Sequence, residues 1–217
     1  MSGFDSAYFL PWLIIGYLMG SCPTGYVLVK LVKGEDIRKF GSGNIGATNV
    51  ARVLDKKWAV TTAVIDMLKG GAAILLAMLF GHREPALLAA IGAAGVIGHD
   101  YPVWIGFKGG KGVATSFGVI SCFDFFNPLP ALLGGAVWFV TREISCVVSL
   151  SSMVALWASA AFIALWGMNA PYVVCGIFLA ALTTWRHREN IKRILAGNEN
   201  RVNPFFPKRT KDSQKPS

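Results

Sequence analysis

The segment WAVTTAVIDMLKGGAAILLAMLF, residues 58–80, decides the fold class of this chain. Asp66 and Lys69 are its only charged side chains. Because about 20 apolar residues let an α-helix cross roughly 30 Å of hydrocarbon, we predict a membrane-spanning helix here. The two charges lie three positions apart and share a helical face. We interpret them first as an ion pair facing the helix bundle and second as a proton or ion relay.

Six further apolar segments define the architecture. Of the 217 residues, 53% are hydrophobic and 15% are charged, whereas a soluble domain has about 25% charged residues. The other segments cover residues 7–32, 85–107, 113–126, 128–140, 146–166 and 170–185. The pattern predicts an all-α polytopic membrane protein of about seven transmembrane helices with short glycine-rich cytoplasmic loops. Segments 113–126 and 128–140 are short for full spans, and alternatively form one re-entrant hairpin.

The basic residues predict the orientation. Of the 21 Lys and Arg side chains, 19 fall in alternate segments, at residues 30–57, 108–111, 142 and 186–215, and the opposite loops hold only Arg83. The positive-inside rule assigns these alternate segments to the cytoplasm. Only Asp5 is charged before the first apolar segment, so we expect an uncleaved first helix with its N-terminus outside. The net charge of +9 follows from this bias and from lipid contact, and does not indicate nucleic acid.

The chain shows one domain. Residues 1–197 are expected to form a single integral membrane domain, and residues 198–217, which are polar and basic, a mobile cytoplasmic tail. The four cysteines are scattered through apolar segments without a CxxC pattern or a paired histidine. Neither a disulfide framework nor a metal site is predicted, and no cofactor is implied.

The first polar motif is FGSGNIGATNVAR, residues 40–52. Its glycines match G-x-G-x-x-G, but the preceding KGEDIRKF is charged and cannot be the buried strand that a dinucleotide fold needs. A helix starting near Thr48 would direct free N–H groups at an anion, and Arg52, one turn along, would bind a phosphate with two hydrogen bonds. A phosphate cradle and a tight turn that uses glycine for its geometry alone both remain open.

The second motif is FKGGKGVAT, residues 107–115, in which three glycines flank Lys111. It is not a Walker loop, because Gly112 follows Lys111 where that motif has Ser or Thr. A lipid-headgroup anchor suits Lys108. Three glycines around a lysine, opposite the first motif, favour a phosphate site.

The third motif is WRHRENIKRIL, residues 185–195. Trp and Arg at the end of a membrane helix are typical of the lipid–water interface. Only the placement of His187 and Asn190 on one helical face indicates a functional site. A serine stripe precedes this motif, at Ser145, Ser149 and Ser152. Close helix packing explains the stripe, and a hydroxyl offered to a ligand is the alternative.

Four segments in this order and spacing resemble the bacterial acyl-phosphate-dependent glycerol-3-phosphate acyltransferases, the PlsY type. They are GSGNIGATN (41–49), FKGGKGVAT (107–115), SLSS (149–152) and RHREN (186–190). The resemblance extends from the first helix to about Arg201. It implies a seven-helix enzyme of the cytoplasmic (inner) membrane. Such an enzyme moves a fatty acyl group from acyl phosphate to the 1-hydroxyl of sn-glycerol 3-phosphate, giving lysophosphatidate and inorganic phosphate.

The resemblance also implies roles for individual residues. Arg52, Lys111 and His187 would be catalytic, with His187 donating a hydrogen bond to a phosphate or hydroxyl of glycerol 3-phosphate. The implied substrate-binding residues are Ser42, Gly43, Asn44, Thr48, Asn49, Gly110 with its neighbouring amides, Ser152 and Asn190. The family works without a conventional protein base, so electrostatics and proximity would supply most of the barrier reduction. The implied partners are the two phosphate substrates, membrane lipid and the soluble enzyme that makes acyl phosphate.

Two features bear on the donor and on one basic residue. The H-x-x-x-x-D motif of acyltransferases that use acyl-CoA or acyl carrier protein is absent after His82, His99 and His187, which favours acyl phosphate. Family members have a basic residue close before the SLSS motif, whereas Arg142 lies seven positions before Ser149. The role of Arg142 is therefore open.

A transporter for a phosphorylated or anionic solute is the rival interpretation. The intramembrane Asp66 and Lys69 and the glycine-interrupted helices motivate it. The location of all three polar motifs on one membrane face, and the lack of a visible inverted repeat, argue against it.

Overall fold

The computed structural model describes residues 8–203, which contain helices and turns and no strand. The helices are α1 Phe9–Gly20, α2 Thr24–Lys33, α3 Ala47–Val53, α4 Lys56–Leu79, α5 Pro85–Asp100, α6 Val113–Ser121, α7 Phe123–Phe126, α8 Leu129–Ser145, α9 Val148–Leu165, α10 Ala170–Arg186 and α11 Arg188–Leu195. Two 3-10 turns lie at Ile37–Lys39 and Val103–Ile105. The prediction of an all-α fold is confirmed.

Each of the seven apolar segments contains helix, but the segments differ in length. Four stretches of the described chain are long and apolar enough to cross a membrane: Phe9–Lys33, Lys56–Leu79, Pro85–Ile105 and Val148–Leu165. The first is interrupted between α1 and α2 at Pro23, a residue with no N–H for the helix ladder. Helix α10 is shorter and apolar.

The fourth apolar segment does not form a full-length span. Helix α6 has nine residues, which is about 14 Å at 1.5 Å per residue and half of the hydrocarbon thickness. Helix α8 has 17 residues, about 25 Å by the same rise. The half-length α6 agrees with the re-entrant alternative for segments 113–126 and 128–140.

Glycines let the helices around the polar motifs pack backbone to backbone. A Cβ on Gly20 of α1 would lie 1.9 Å from the carbonyl oxygen of Gly95 in α5, and one on Gly118 of α6 would lie 1.8 Å from that of Met67 in α4. Small residues at such crossings are typical of membrane helix bundles. These contacts hold α5 against α1 and α6 against α4, and α5 and α6 are the helices before and after the second motif.

The polar motifs meet at one end of the bundle, formed by residues 34–55, 101–112, 146–147 and 187–203. We call it the motif end. There, NH1 of Arg38 donates to the carbonyl oxygen of Ile105 at 2.8 Å, and the N–H of Val202 donates to that of Cys146 at 2.8 Å. At the opposite end, the rings of Tyr8 and His82 lie 5.6 Å apart. The start and end of the described chain are therefore on opposite sides of the bundle.

Part of the expected tail packs against the body. Arg142, which is buried, donates from NH2 to the carbonyl oxygen of Asn203 at 2.6 Å and pairs through NH1 with Glu143. The chain from residue 198 to 203 thus belongs to the folded unit, and the rest of the predicted mobile tail lies outside the described residues. Arg142 anchors this segment, which gives it a structural place despite its shifted position in sequence.

The charges inside α4 form the expected ion pair. Nζ of Lys69 lies 2.7 Å from Oδ1 of Asp66, and both side chains are buried. Nζ also donates to the carbonyl oxygen of Cys22, and Nδ1 of His99 lies 3.7 Å from Oδ1 of Asp66. The pair therefore joins α4 to the α1–α2 break and to α5.

Candidate functional site

The first motif folds into a loop around Asn49, which is 1% exposed. Nδ2 of Asn49 donates to the carbonyl oxygens of Phe40 at 3.0 Å and Asn44 at 2.9 Å, and Oδ1 accepts from the N–H of Ser42 at 3.0 Å. Both polar atoms of the side chain are thus engaged with the loop backbone. We expected Asn49 to bind substrate; in the structure it shapes the loop that would do so.

The exposed polar side chains of this motif are Ser42, Thr48 and Arg52. The Cδ of Arg52 lies 3.6 Å from the point that a Cβ on Gly41 would occupy, so its stem crosses the loop. The N–H of Gly43 donates to a carbonyl within the loop at 2.9 Å, and that of Ser42 is taken by Asn49. An anion bound at this loop would therefore contact the hydroxyls of Ser42 and Thr48 and the guanidinium of Arg52. It would not contact the N–H groups of Ser42 and Gly43, which we expected to bind it.

Asn44 ties the first motif to the second. Its Nδ2 donates to the carbonyl oxygen of Gly109 at 3.3 Å, and its Oδ1 accepts from the N–H of Gly46 at 2.8 Å. The side chain is half-buried between the two loops. Asn44 therefore sets the distance between the motifs that carry Arg52 and Lys111.

The second motif is fixed to the end of α5. The N–H of Gly109 donates to the carbonyl oxygen of Asp100 at 3.2 Å, and that of Gly110 to the carbonyl oxygen of His99 at 3.0 Å. A Cβ on Gly110 would lie 1.9 Å from Nε2 of His99. The amide of Gly110 is thus occupied, which differs from the expectation that it faces an anion. Its glycine character serves close contact with His99.

Lys111 directs its ammonium group at the third motif. Nζ donates to Oδ1 of Asn190 on α11, and the carbonyl oxygen of Lys111 accepts from Oγ1 of Thr183 on α10 at 3.4 Å. The ammonium group and the backbone of Lys111 therefore both contact the junction of α10 and α11. This is expected if the second and third motifs share one site.

The pKa of Lys111 is lowered to about 8. Burial is the main cause, since it penalises the cation. The carboxylate of Glu199 opposes the shift, and the positive charges of Arg193, Arg186 and Arg52 add to it. The positive charge of Arg52 thus contributes to the lowered pKa of Lys111. The two side chains that we expect to bind phosphate therefore share one electrostatic environment.

His187 is buried at the C-terminal end of α10, with Nδ1 2.8 Å from the carbonyl oxygen of Thr183. A carbonyl only accepts hydrogen bonds, so Nδ1 carries the proton. Burial, followed by the charge of Lys111, lowers the pKa of His187 to about 4. The imidazole is therefore neutral at pH 7, and its Nε2 is an acceptor. We expected His187 to donate a hydrogen bond to substrate. With the proton on Nδ1, the free Nε2 instead suits accepting a hydrogen bond from a hydroxyl.

Glu199 is a member of the site that sequence reasoning missed. Its Oε1 accepts from Nδ2 of Asn190 at 2.6 Å and from Oγ of Ser149 at 2.9 Å, and its Oε2 accepts from Nε of Arg193 at 2.7 Å. Burial raises the pKa of this carboxyl, but these hydrogen bonds outweigh it and the net pKa is lowered. A single acidic residue in a polar tail carries no signal in the sequence for these long-range contacts.

The serine stripe reaches the site through Ser149 rather than Ser152. Oγ of Ser152 donates to the carbonyl oxygen of Val148 at 2.9 Å and accepts from Nε1 of Trp138 at 3.3 Å. Ser149 instead contacts Glu199, as described above. The hydroxyl of Ser152 is therefore engaged between α8 and α9, and its contact with substrate stays a prediction.

Arg52, Lys111 and His187 thus come together at the motif end of an all-helical bundle, together with Asn190. The fold and these groups define a helical membrane protein with several basic side chains at one polar end. The chain belongs to the glycerol-3-phosphate acyltransferase family, whose family model matches residues 10–197. The resemblance noted in the sequence is confirmed.

Similar proteins cover nearly the whole chain. The glycerol-3-phosphate acyltransferase of Rhodopseudomonas palustris (strain HaA2) is 45% identical over 192 residues, 88% of this chain and 93% of that protein. The enzyme of the same name from Anaeromyxobacter dehalogenans (strain 2CP-C) is 47% identical over 191 residues, 86% of this chain and 94% of that protein.

Two crystal structures of PlsY, an integral membrane glycerol 3-phosphate acyltransferase, share the fold. The glycerol 3-phosphate form superposes with a TM-score of 0.84 at 42% identity, covering 91% of this chain and 96% of that chain. The lysophosphatidic acid form gives 0.81 at 40% identity with the same coverage. The protein is therefore an integral membrane protein of this fold.

Proposed function

We propose that this protein transfers a fatty acyl group from acyl phosphate to the 1-hydroxyl of sn-glycerol 3-phosphate, giving lysophosphatidate and inorganic phosphate. The observation that carries the proposal is the convergence of Arg52, Lys111 and His187 at one end of the bundle. Family membership and the two ligand forms of the related PlsY structures support the choice of acceptor.

The chemistry fits the groups available. The glycerol hydroxyl oxygen attacks the acyl carbonyl carbon, the bond from that carbon to the phosphate oxygen breaks, and phosphate leaves with the electron pair. The hydroxyl proton passes to a phosphate oxygen, and no protein base is needed. Arg52 and Lys111 bind phosphate and offset its charge, which lowers the barrier electrostatically.

His187 and Asn190 orient the acceptor in this proposal. The unprotonated Nε2 of His187 accepts a hydrogen bond from the 2-hydroxyl of glycerol 3-phosphate. This contact orients the acceptor so that the oxygen of its 1-hydroxyl faces the acyl carbon. The hydroxyls of Ser42 and Thr48 border the phosphate, and Gly43 belongs to the loop that carries Ser42. Asn44, Asn49 and Gly110 act by holding the two loops in register.

The motif end faces the cytoplasm of a bacterial cell in this proposal, and the end near Tyr8 faces outward. The distribution of 19 basic side chains to the cytoplasmic segments supports this orientation. The acyl phosphate lies with its tail in the bilayer, and glycerol 3-phosphate enters from the aqueous side. The soluble enzyme that makes acyl phosphate is a predicted partner at this face.

The test uses purified protein in detergent micelles with palmitoyl phosphate and glycerol 3-phosphate. We expect release of inorganic phosphate and formation of lysophosphatidate only when both substrates are present. Arg52→Ala and Lys111→Ala should each reduce turnover by at least about 100-fold, the usual loss when a charge that stabilises a transition state is removed. Lys108→Ala is the matched control, since Lys108 is exposed in the same loop.

Normal turnover in both Arg52→Ala and Lys111→Ala would contradict the proposed site. The transporter alternative gains no support from α4, because Asp66 and Lys69 are occupied with each other and with neighbouring backbone. Accumulation of labelled glycerol 3-phosphate in sealed proteoliposomes, without acyl transfer, would nevertheless favour it.

A further inference from the structure

Arg186, the last residue of α10, turns back onto the second motif. Its Nε and NH2 donate to the carbonyl oxygen of Gly110 at 3.1 and 2.7 Å, and NH2 also reaches that of Gly109 at 3.5 Å. The side chain is 16% exposed. It is therefore not the outward-facing interface cation that a Trp–Arg helix exit suggests.

We propose that Arg186 is a positioning residue that holds the loop of residues 109–112 by its carbonyl oxygens and so sets the place of Lys111 in the site. This inference rests on the proposed function. With the amides of Gly109 and Gly110 bound to α5 and their carbonyls bound to Arg186, both sides of these peptide groups are fixed. The position of the next residue, Lys111, follows from them.

A buried acidic side chain, Asp100, lies next to the guanidinium of Arg186. Oδ2 of Asp100 lies 3.7 Å from Nε of Arg186, and the ring centre of Tyr101 lies 4.7 Å from its Cζ. Asp100 is fully buried, and neither of its carboxylate oxygens has a hydrogen-bond partner within residues 8–203. Arg186 is the cation beside this buried group, and its charge would offset the cost of ionising Asp100. The side chain spans from Asp100 to the loop.

Arg186 also connects the two halves of the site. His187 follows it directly in the chain, and Lys111 returns the contact by donating to Asn190 on α11. The loop with Lys111 and the junction with His187 and Asn190 are thus bound to each other through Arg186, through Nζ of Lys111 and through Oγ1 of Thr183. Loss of the Arg186 contacts leaves only the flexible lysine side chain and the 3.4 Å contact of Thr183 among these links.

The simpler explanation is that Arg186 only neutralises Asp100. The double variant Arg186→Gln/Asp100→Asn separates the two roles, because it removes the cation and the charge that needs it. If Arg186 positions the loop, the double variant regains the thermal midpoint lost in Arg186→Gln but stays catalytically impaired. Asp100→Asn alone is the reference, and Arg188→Gln is the matched control, since Arg188 is half exposed and lies over the ring of Trp185.

The measurements are the thermal midpoint, kcat/KM for both substrates by phosphate release, and the affinity for inorganic phosphate by calorimetry. We expect Arg186→Gln and the double variant to lose about 10- to 100-fold in kcat/KM and to bind phosphate more weakly, as when a supporting contact of a catalytic group is removed. Arg188→Gln should match the unmodified protein.

If the double variant had the kcat/KM and the phosphate affinity of Asp100→Asn, the inference would be overturned, and the role of Arg186 would be only to neutralise Asp100. So would an Arg186→Gln protein that is unimpaired. Failure of the unmodified protein to transfer acyl groups would instead reject the proposed function. In that event the calorimetric comparison still decides the role of Arg186, because it needs no turnover.

Discussion

At the scale of single residues, the site depends on hydrogen bonds between positions far apart in sequence. Motif spacing identified Lys111, because a lysine flanked by glycines can be recognised in the sequence. It identified His187 and Asn190 because their spacing places both on one helical face. It could not identify Glu199 or Arg186, whose partners lie in other segments. Nor could it show that Asn49 and the Gly110 amide are occupied internally, since that depends on the loop conformation.

The lowered pKa of Lys111 predicts an alkaline limit to activity. The ammonium form binds phosphate, and it is lost as pH rises through about 8. We therefore expect kcat/KM to fall above this pH in a profile measured from about pH 6 to about pH 10, since kcat/KM reports on the free enzyme.

Lys111→Arg provides the control for this profile, because arginine stays charged throughout the range. Any activity that this variant retains should show no fall near pH 8. A decline at the same pH in both proteins would mean that another group titrates.

At the scale of elements, hydropathy predicted where the helices lie but not how far each extends. The break at Pro23 and the nine-residue α6 both depend on local stops within apolar sequence. Helix α6 packs tightly against α4, where a Cβ on Gly118 would lie 1.8 Å from the carbonyl oxygen of Met67, and its first residues end the second motif. A sequence of mostly apolar residues gives no direct signal for that contact.

The crossing of α4 and α6 predicts opposite results for two glycine substitutions. Gly118→Ala should lower the thermal midpoint, because its Cβ would lie 1.8 Å from the carbonyl oxygen of Met67. The expected cost is about 1–3 kcal/mol, as for other overpacked sites. The same change should reduce phosphate release, since α6 begins next to Lys111.

Gly135→Ala in α8 is the matched substitution, because no atom lies within 4 Å of the added Cβ. It should be neutral or slightly stabilising, as alanine favours helix over glycine. Equal thermal midpoints for Gly118→Ala and Gly135→Ala would contradict the close packing described for α4 and α6.

The segment after α11 gives a further prediction. Deletion of residues 199–217 removes Glu199 and the contact of Asn203 with Arg142. It leaves Asn190, Ser149 and Arg193 without their shared carboxylate. Ser149 and Asn190 are buried and would lose a hydrogen-bond partner, whereas the charge of Arg193, whose side chain is 40% exposed, is screened by solvent. We therefore expect loss of activity and a lower thermal midpoint.

Deletion of residues 204–217 is the paired control, since it retains Glu199 and the contact of Asn203 with Arg142. It should keep near-normal turnover in the phosphate-release assay. If both deletions were equally active, Glu199 would have no part in organising the site.

At the scale of the whole molecule, alternation of apolar segments and basic loops predicted that three polar motifs share one end of the bundle. That much follows from topology, because every second loop lies on the same side. Their direct contact, through Asn44 with Gly109 and Lys111 with Asn190, required the three-dimensional structure. The central claim is that these contacts make one site for two phosphate-bearing substrates, with acyl phosphate as the donor.

Comparison of acyl donors tests this claim most directly. Purified protein is given glycerol 3-phosphate with either palmitoyl phosphate or palmitoyl-CoA, and lysophosphatidate is measured by mass spectrometry. We predict product with palmitoyl phosphate, matched by an equal amount of inorganic phosphate, and none with palmitoyl-CoA. Equal product from both donors, or product without release of phosphate, would contradict the account.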